Sequence, residues 1–145
     1  DNIGVFYPRT MFINPVEKHE IIDILHALKS NKASGHDGFS PKVLKAVAEY
    51  VAEPLVDVCN ASLSTGVFPD ELKIAKVAPV YKAEDKLLVN NYRPISVLSV
   101  FSKVLEKVMY SRLISYLQTN HILTDKQFGF REKHSTYMAI INLID

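Results

Sequence analysis

Two stretches of this 145-residue sequence, Ile74-Ala-Lys-Val-Ala-Pro-Val-Tyr-Lys82 and Tyr92-Arg-Pro-Ile-Ser-Val-Leu98, carry its β-strand signal. In the first stretch, Ala75, Val77, Pro79 and Tyr81 alternate with a second set of residues that includes both lysines, and this period of two predicts a strand. Proline cannot donate a ladder hydrogen bond, so Pro79 and Pro94 each require an edge strand or a free side. A polar loop from Ala83 to Asn91 joins the stretches. The sequence therefore predicts a long β-hairpin.

Helical periodicity lies on both sides of this hairpin and predicts five helices. Asn14 is expected to cap the first helix, with Pro15 at its first helical position. Ser40 and Pro41 are expected to start the second, and Pro54 to end it. The others are a third helix ending at Gly66, a long amphipathic helix from about Ser99 to Asn120, and a last helix beginning at Ser135. The predicted fold class is α+β, rich in helix, with one small antiparallel hairpin and no second domain.

Composition and charge limit the classes of function. With 48% hydrophobic and 23% charged residues, the chain resembles one folded soluble domain. Cys59 has no second cysteine to pair with, which fits an intracellular setting, and the five histidines form no metal-ligand pattern. Membrane insertion and secretion are not expected, because no signal pattern or uniformly apolar helix occurs.

The charge is unevenly divided along the chain. Residues 1–65 carry six Lys/Arg against eight Asp/Glu, a net charge of −2, and residues 66–145 carry eleven against eight, a net charge of +3. This excess in the second half permits a nucleic-acid partner without requiring one.

The predicted hairpin carries cations that could bind a polyphosphate. Lys76 and Lys82 share one face of the first strand, and Arg93 lies near the start of the second. A lysine supplies a point charge to a phosphate, and an arginine supplies a two-pronged donor. The alternative is a solvated edge strand that its lysines keep from aggregating.

Two glycine-containing loops are the other candidate segments. The loop from Lys32 to Phe39 joins two helices, and its glycines let backbone approach a phosphate chain. The alternative, which the loop taken alone favours, is a plain connector. The run Gln127-Phe-Gly-Phe-Arg131 combines aromatics with a cation, which suits stacking on bases and contact with phosphate. The alternative for this run is that both phenylalanines fill the core and Arg131 is solvated.

Six segments in order carry a family pattern. They are Lys32-Ala-Ser-Gly-His-Asp-Gly38, Ser62-Leu-Ser-Thr-Gly-Val-Phe-Pro69, Lys76-Val-Ala-Pro-Val-Tyr-Lys82, Asn91-Tyr-Arg-Pro-Ile-Ser96, Phe101-Ser-Lys-Val-Leu-Glu-Lys107 and Gln127-Phe-Gly-Phe-Arg131. Together they make the chain resemble the amino-terminal fingers portion of reverse transcriptases from LINE-type non-LTR retrotransposons. The resemblance implies that residues 1–145 are a partial reverse transcriptase domain, comprising the fingers and the approach to the palm.

The resemblance implies RNA-directed DNA synthesis, with RNA template, DNA primer and deoxynucleoside triphosphates as partners of the complete enzyme. By motif position, Arg93 and Lys82 match residues that reach the incoming nucleotide. The residues that match template-binding segments are Gly35, Asp37, Gly38, Gln127, Phe128, Gly129, Phe130 and Arg131. The first loop departs from the family pattern, since it reads Ser-Gly-His where many relatives have a proline beside the glycine.

The family's catalytic aspartates, including its Tyr-x-Asp-Asp turn, do not occur in this sequence. In the family these acids hold two magnesium ions, so magnesium is expected only in the complete parent enzyme, and this chain is expected to be inactive alone. No Ser, Cys or His has the local signature of an activated nucleophile. There are two alternatives to a LINE-type reverse transcriptase. One is a noncatalytic nucleic-acid or protein-binding remnant of a decayed element, and the other is a reverse transcriptase of the group II intron type.

Overall fold

The computed structural model describes residues 11–124, 126–131 and 133–144. The order of its α-helices and strands is α1 Lys18–Ala27, α2 Pro41–Ala46, α3 Ala48–Thr65, β1 Ala75–Tyr81, β2 Tyr92–Leu98, α4 Val100–Thr119 and α5 Thr136–Ile144, with short 3-10 helices at Asp70–Lys73 and Val89–Asn91. The two strands form an antiparallel sheet. The α+β class predicted from the sequence is confirmed. None of the helices in the described ranges is long and apolar enough to cross a membrane.

Contacts divide the chain into two compact units. One comprises residues 13–110, and the other includes the described residues from 111 onward. The core of the first unit is formed by α1, α2, α3 and the first half of α4, with α1 packed on α3. Its most deeply buried large side chains include Ile21 and Leu25 of α1 and Val100, Val104 and Val108 of α4. The core thus fixes the start of α4, which follows β2 directly.

Helix α1 begins later than the sequence indicates. The prediction that Asn14 caps it and Pro15 starts it was wrong, because the N-cap residue is Glu17, which makes no side-chain capping bond. Val16 is instead buried, and its backbone N–H and C=O are both hydrogen-bonded to the side chain of Asn60. This tertiary pairing outweighs the local capping signal.

Helices α2 and α3 divide at Val47, not at Pro54. Ser40 accepts a hydrogen bond from Val43 N at 3.3 Å and Pro41 is the first helical residue, so the predicted start is confirmed. Pro54 lies inside α3, and the prediction that it ends a helix was wrong. Its missing N–H costs the helix one bond. The helix nevertheless continues to Gly66, whose φ of 71° gives the predicted left-handed end.

The hairpin has the predicted strands, with β1 one residue shorter at each end. Pro79 lies directly opposite Pro94. Lys82 N donates to Asn91 O at 2.8 Å, and hydrogen-bonded pairs alternate along an antiparallel ladder. The two prolines therefore form a non-hydrogen-bonded pair, and their nitrogens face away from the partner strand. Neither proline removes a bond within the hairpin, and both reduce the capacity of its outer edges to pair with another strand.

Candidate nucleotide and template site

The hairpin presents an open cationic face. Arg93 lies opposite Val80, and Lys82 follows Val80 by two residues, so both cations project from the same face of the sheet. Both side chains are exposed. Neither cation makes an ion pair with a carboxylate among the described residues. The structure thus brings together the two residues predicted to bind the nucleotide and leaves both available to an anion.

The other face of the hairpin orders the loop between its strands. The rings of Tyr81 and Tyr92 meet edge to face, with centroids 5.7 Å apart. The Tyr92 hydroxyl donates to Lys86 O at 2.9 Å, and the Tyr81 hydroxyl donates to Glu84 O. Asn91 Nδ2 also donates to Asp85 O at 2.7 Å. Side chains at the loop end of the two strands therefore bind the backbone of the loop at three points.

The middle of this loop is apolar, although the sequence predicts a polar loop from Ala83 to Asn91. Leu87, Leu88 and Val89 are all exposed. The backbone N–H of Leu87 donates to Asp85 Oδ1 at 2.9 Å, which fixes the turn leading into them. The signal that could have revealed them is a run of three apolar residues at the position where a hairpin usually has polar turn residues.

Gly35 holds the predicted RNA-contact loop against the junction of β2 and α4. A Cβ atom at this position would lie 2.7 Å from Ser99 N and 2.9 Å from Leu98 C. Gly35 is buried, whereas Gly38 is exposed and has a φ of 75°. The two glycines therefore differ in use. Gly35 permits close backbone packing, and Gly38 permits a left-handed turn.

Asp37 fastens the same loop by its side chain. Its Oδ2 accepts a hydrogen bond from the Ser99 hydroxyl at 2.5 Å, and its Oδ1 accepts one from Phe39 N at 3.2 Å. The Ser99 oxygen also accepts a bond from Phe101 N at 3.1 Å and so caps α4. Ser99, which is fully buried, did not stand out in the sequence. Its partner lies 62 residues away, and no local pattern encodes such a pair.

The Gln127 to Arg131 run, in the second unit, is a loop with one protruding aromatic ring. Phe128 is half-buried beside His134, with ring centroids 5.8 Å apart. Phe130 is fully exposed and has a φ of 59°. Gln127 Nε2 donates to Gly129 O at 3.3 Å, and Arg131 Nη1 donates to Thr124 O at 2.9 Å. The alternative in which both phenylalanines fill the core does not hold for Phe130.

Acidic residues do not gather into a metal centre in the part of the chain that the structure describes. No group of three His, Cys, Asp or Glu side chains is placed there to hold an ion. These residues therefore do not fit the magnesium ions that the family uses.

Comparison with known proteins gives the class of the chain. No protein-family model matches it. It is 34% identical over 132 residues to the probable RNA-directed DNA polymerase from transposon BS of Drosophila melanogaster, which is 90% of this chain and 15% of that protein. It is 30% identical over 146 residues to the probable RNA-directed DNA polymerase from transposon X-element of the same species, covering 100% of this chain and 16% of that protein.

A third relative is the RNA-directed DNA polymerase from mobile element jockey of Drosophila funebris, 29% identical over 124 residues, with 85% of this chain and 14% of that protein aligned. The chain is therefore a segment related to the RNA-directed DNA polymerases of mobile elements, and it spans about one sixth of their length or less. More particularly, the chain is similar over most of its length to the reverse transcriptases of LINE-type non-LTR retrotransposons. The resemblance stated from the sequence motifs is confirmed.

Proposed function

We propose that this chain is the fingers part of an RNA-directed DNA polymerase that copies retrotransposon RNA into DNA, and that it binds the incoming nucleotide and the template. The observation that carries the proposal is the shared exposed face of Lys82 and Arg93 on the hairpin. The relatives support it, since they are named as RNA-directed DNA polymerases of mobile elements. They favour a retrotransposon enzyme over one of the group II intron type.

The two cations are suited to a triphosphate. The guanidinium of Arg93 offers two parallel N–H donors to phosphate oxygens, and Lys82 adds a mobile point charge. Because neither has a carboxylate partner among the described residues, no internal ion pair has to break before the nucleotide binds. Val80 and Ile95, which are exposed on the same face, supply an apolar surface beside the cations.

Template contact is assigned to the two loops. Phe130 is placed to stack on an unpaired base, and the free donors of the Arg131 guanidinium can contact phosphate. In the first loop, Gly35 and Asp37 would act by holding the loop in place, since one is buried and the other is bonded to Ser99. Gly38 would give RNA close access to the backbone there.

The remaining machinery would come from other parts of the complete polypeptide. Carboxylates of the palm would hold magnesium, which supplies activation of the primer hydroxyl and stabilisation of the leaving pyrophosphate. The palm would thus supply the catalytic groups, and the described residues would bind and orient the nucleotide and template. DNA primer and RNA template would meet on the complete enzyme.

Primer extension by the complete parent protein on an RNA template tests the proposal. We expect Arg93→Ala to raise the KM for deoxynucleoside triphosphate by about tenfold or more, the loss of one charge-assisted interaction, with little change in template affinity. Lys76→Ala is the matched control, because Lys76 is an exposed cation on the same face near the other end of β1. An unchanged nucleotide KM in Arg93→Ala, or an equal rise in both variants, would contradict the assignment.

A further inference from the structure

The hairpin is supported at its base, where β2 joins the core. Every residue of β1 and β2 is exposed or half-buried, and the two strands pack chiefly on each other. Full burial begins directly after β2, at Ser99 and Val100. Arg93 precedes Ser99 by six residues, which places it about 20 Å from the base at about 3.3 Å per residue. The face that carries Lys82 and Arg93, which we call the nucleotide face, therefore depends on the base for its position.

The glycine-containing loop between α1 and α2 is attached to this base at three points. The backbone at Gly35 packs so closely on Ser99 that a Cβ atom would lie 2.7 Å from Ser99 N. Asp37 Oδ2 accepts the Ser99 hydroxyl at 2.5 Å. The ring of Phe39 meets the ring of Phe101 edge to face, with centroids 5.3 Å apart. All three contacts fall where β2 ends and α4 begins, so the loop and the base of the hairpin form one junction.

A second serine supports the other strand. The Ser102 hydroxyl donates to Leu72 O at 2.6 Å, and Leu72 lies in the 3-10 helix that precedes β1. Ser102 is fully buried, as Ser99 is. The start of α4 therefore bonds toward each strand of the hairpin. The Ser99 bond is the one that reaches a loop proposed to contact template.

We propose that Asp37 and Ser99 are positioning residues for the nucleotide face, and that their hydrogen bond fixes the angle of β2 so that Arg93 meets the incoming triphosphate. The inference rests on the proposed function, in which Arg93 binds the nucleotide. Both positioning residues act through Arg93, because they lie at the base and Arg93 lies far along the strand. A rotation of about 5° at the base would move Arg93 by about 2 Å, which is enough to break a hydrogen bond to phosphate.

The competing role for Asp37 is to order the loop for RNA alone. A loop can be ordered by bonds within itself, and Asp37 Oδ1 makes one, to Phe39 N at 3.2 Å. The other carboxylate oxygen reaches Ser99, 62 residues away, whose hydroxyl oxygen also caps α4. A bond to this buried hydroxyl constrains the base of the hairpin as much as it constrains the loop. Its loss should therefore be felt in nucleotide binding.

Primer extension by the complete parent protein at saturating RNA template tests the inference. The variants are Asp37→Ala, Ser99→Ala and the two combined. Asp37→Ala leaves the bond from Phe101 N to the Ser99 hydroxyl in place, so an effect common to both single variants belongs to the bond they share. Asp37 is half-buried in a loop, and its variant carries the test if the buried Ser99 cannot be replaced. The control is Asn60→Ala, which removes two hydrogen bonds to Val16 in the same unit.

We expect each single variant to raise the KM for deoxynucleoside triphosphate about tenfold, with little change in kcat per folded enzyme. The combined variant should match the single ones, because all three lack the same bond. Asn60→Ala should lower the amount of folded enzyme and leave this KM unchanged.

Four results would overturn the inference. One is an unchanged nucleotide KM in either folded single variant, and another is a rise in the combined variant equal to the product of the single rises. A third is an equal rise in Asn60→Ala, which would make the effect one of general stability. The fourth is weaker RNA binding by Asp37→Ala with an unchanged nucleotide KM, which would leave the loop a role with RNA alone.

A second cycle tests whether the bond acts through Arg93. We expect Asp37→Ala/Arg93→Ala to have nearly the nucleotide KM of Arg93→Ala, since the position of a side chain that has been removed no longer matters. A KM raised by the product of the two single effects would overturn the inference and leave the proposed function standing. An unchanged KM in Arg93→Ala alone would overturn the proposed function, and the inference with it.

Discussion

The Ser99 hydroxyl donates to Asp37 Oδ2 at 2.5 Å and at the same time accepts the backbone N–H of Phe101 at 3.1 Å. One buried side chain therefore joins the loop after α1 to the residue that ends the hairpin and begins α4. Because β2 stops at Leu98, this bond also ties the loop to the strand that carries Arg93.

Removing this bond should loosen the junction. Ser99→Ala deletes the cap of α4 and leaves the Asp37 carboxylate without one partner, so we expect the free energy of unfolding to fall by about 1–2 kcal/mol. Urea denaturation of the 145-residue chain measures it. Ser40→Ala, which removes a comparable but exposed cap on α2, is the control and should cost less. A loss no larger than that of the control would show that the Asp37 bond adds nothing.

Gly35 should tolerate no side chain. In Gly35→Ala the added methyl group would meet the backbone of Leu98 and Ser99 at 2.7–2.9 Å, and backbone atoms cannot yield as a flexible side chain does. We expect a loss of about 1–3 kcal/mol in the free energy of unfolding. Gly129→Ala is the matched control, since nothing lies within 4 Å of its Cβ position. Equal denaturation midpoints for the two variants would refute the close packing.

The Asn60 side chain should be required for the start of the first unit. Its Oδ1 accepts from Val16 N at 2.7 Å and its Nδ2 donates to Val16 O at 3.1 Å, so Asn60→Ala leaves two backbone groups of a buried residue without partners. We expect a loss of about 2 kcal/mol or more, measured by denaturant unfolding. Asn31→Ala, at an exposed turn position, should change stability little. If both variants unfold at the same denaturant concentration, the pairing does not contribute.

These contacts explain which features the sequence could predict. The hairpin strands, the Ser40 cap and the Gly66 stop follow from alternation, capping and left-handed backbone, which are properties of a few neighbouring residues. The start of α1 depends instead on a distant pair, the bonds between Asn60 and Val16, 44 residues apart. Local patterns cannot report such pairs.

The candidate site also has some features that the sequence predicts and others that depend on contacts between distant residues. The pairing of β1 with β2 puts Lys82 and Arg93 on one face of the sheet, which is compatible with the hairpin predicted from the sequence. The sequence did not reveal that Gly35 is buried, that Ser99 joins two segments, or that the apolar residues from Leu87 to Val89 lie exposed on a hydrogen-bonded loop. Each of these depends on which atoms meet after folding. The nucleotide and template roles of the residues remain predictions from motif position.

Phe130 should show opposite effects on stability and on RNA binding. Its left-handed φ of 59° is strained for a phenylalanine, and its ring buries no surface because it is fully exposed. Phe130→Gly should therefore raise the free energy of unfolding by about 1 kcal/mol, since glycine adopts this conformation freely. The same change removes a ring able to stack on a base, so we expect the affinity of the complete parent for single-stranded RNA to fall by about 1–3 kcal/mol.

Fluorescence anisotropy with a labelled RNA measures the affinity, and urea denaturation measures the stability. Tyr137→Gly is unsuitable as a control because it would also weaken α5, so Tyr137→Ser, at another exposed aromatic position of the same unit, is preferred. A gain in stability with unchanged RNA affinity would assign the exposed ring no role in template binding. Because the ring contributes no buried surface to the fold, the loss of affinity in Phe130→Gly is the measurement that would assign it a use in template binding.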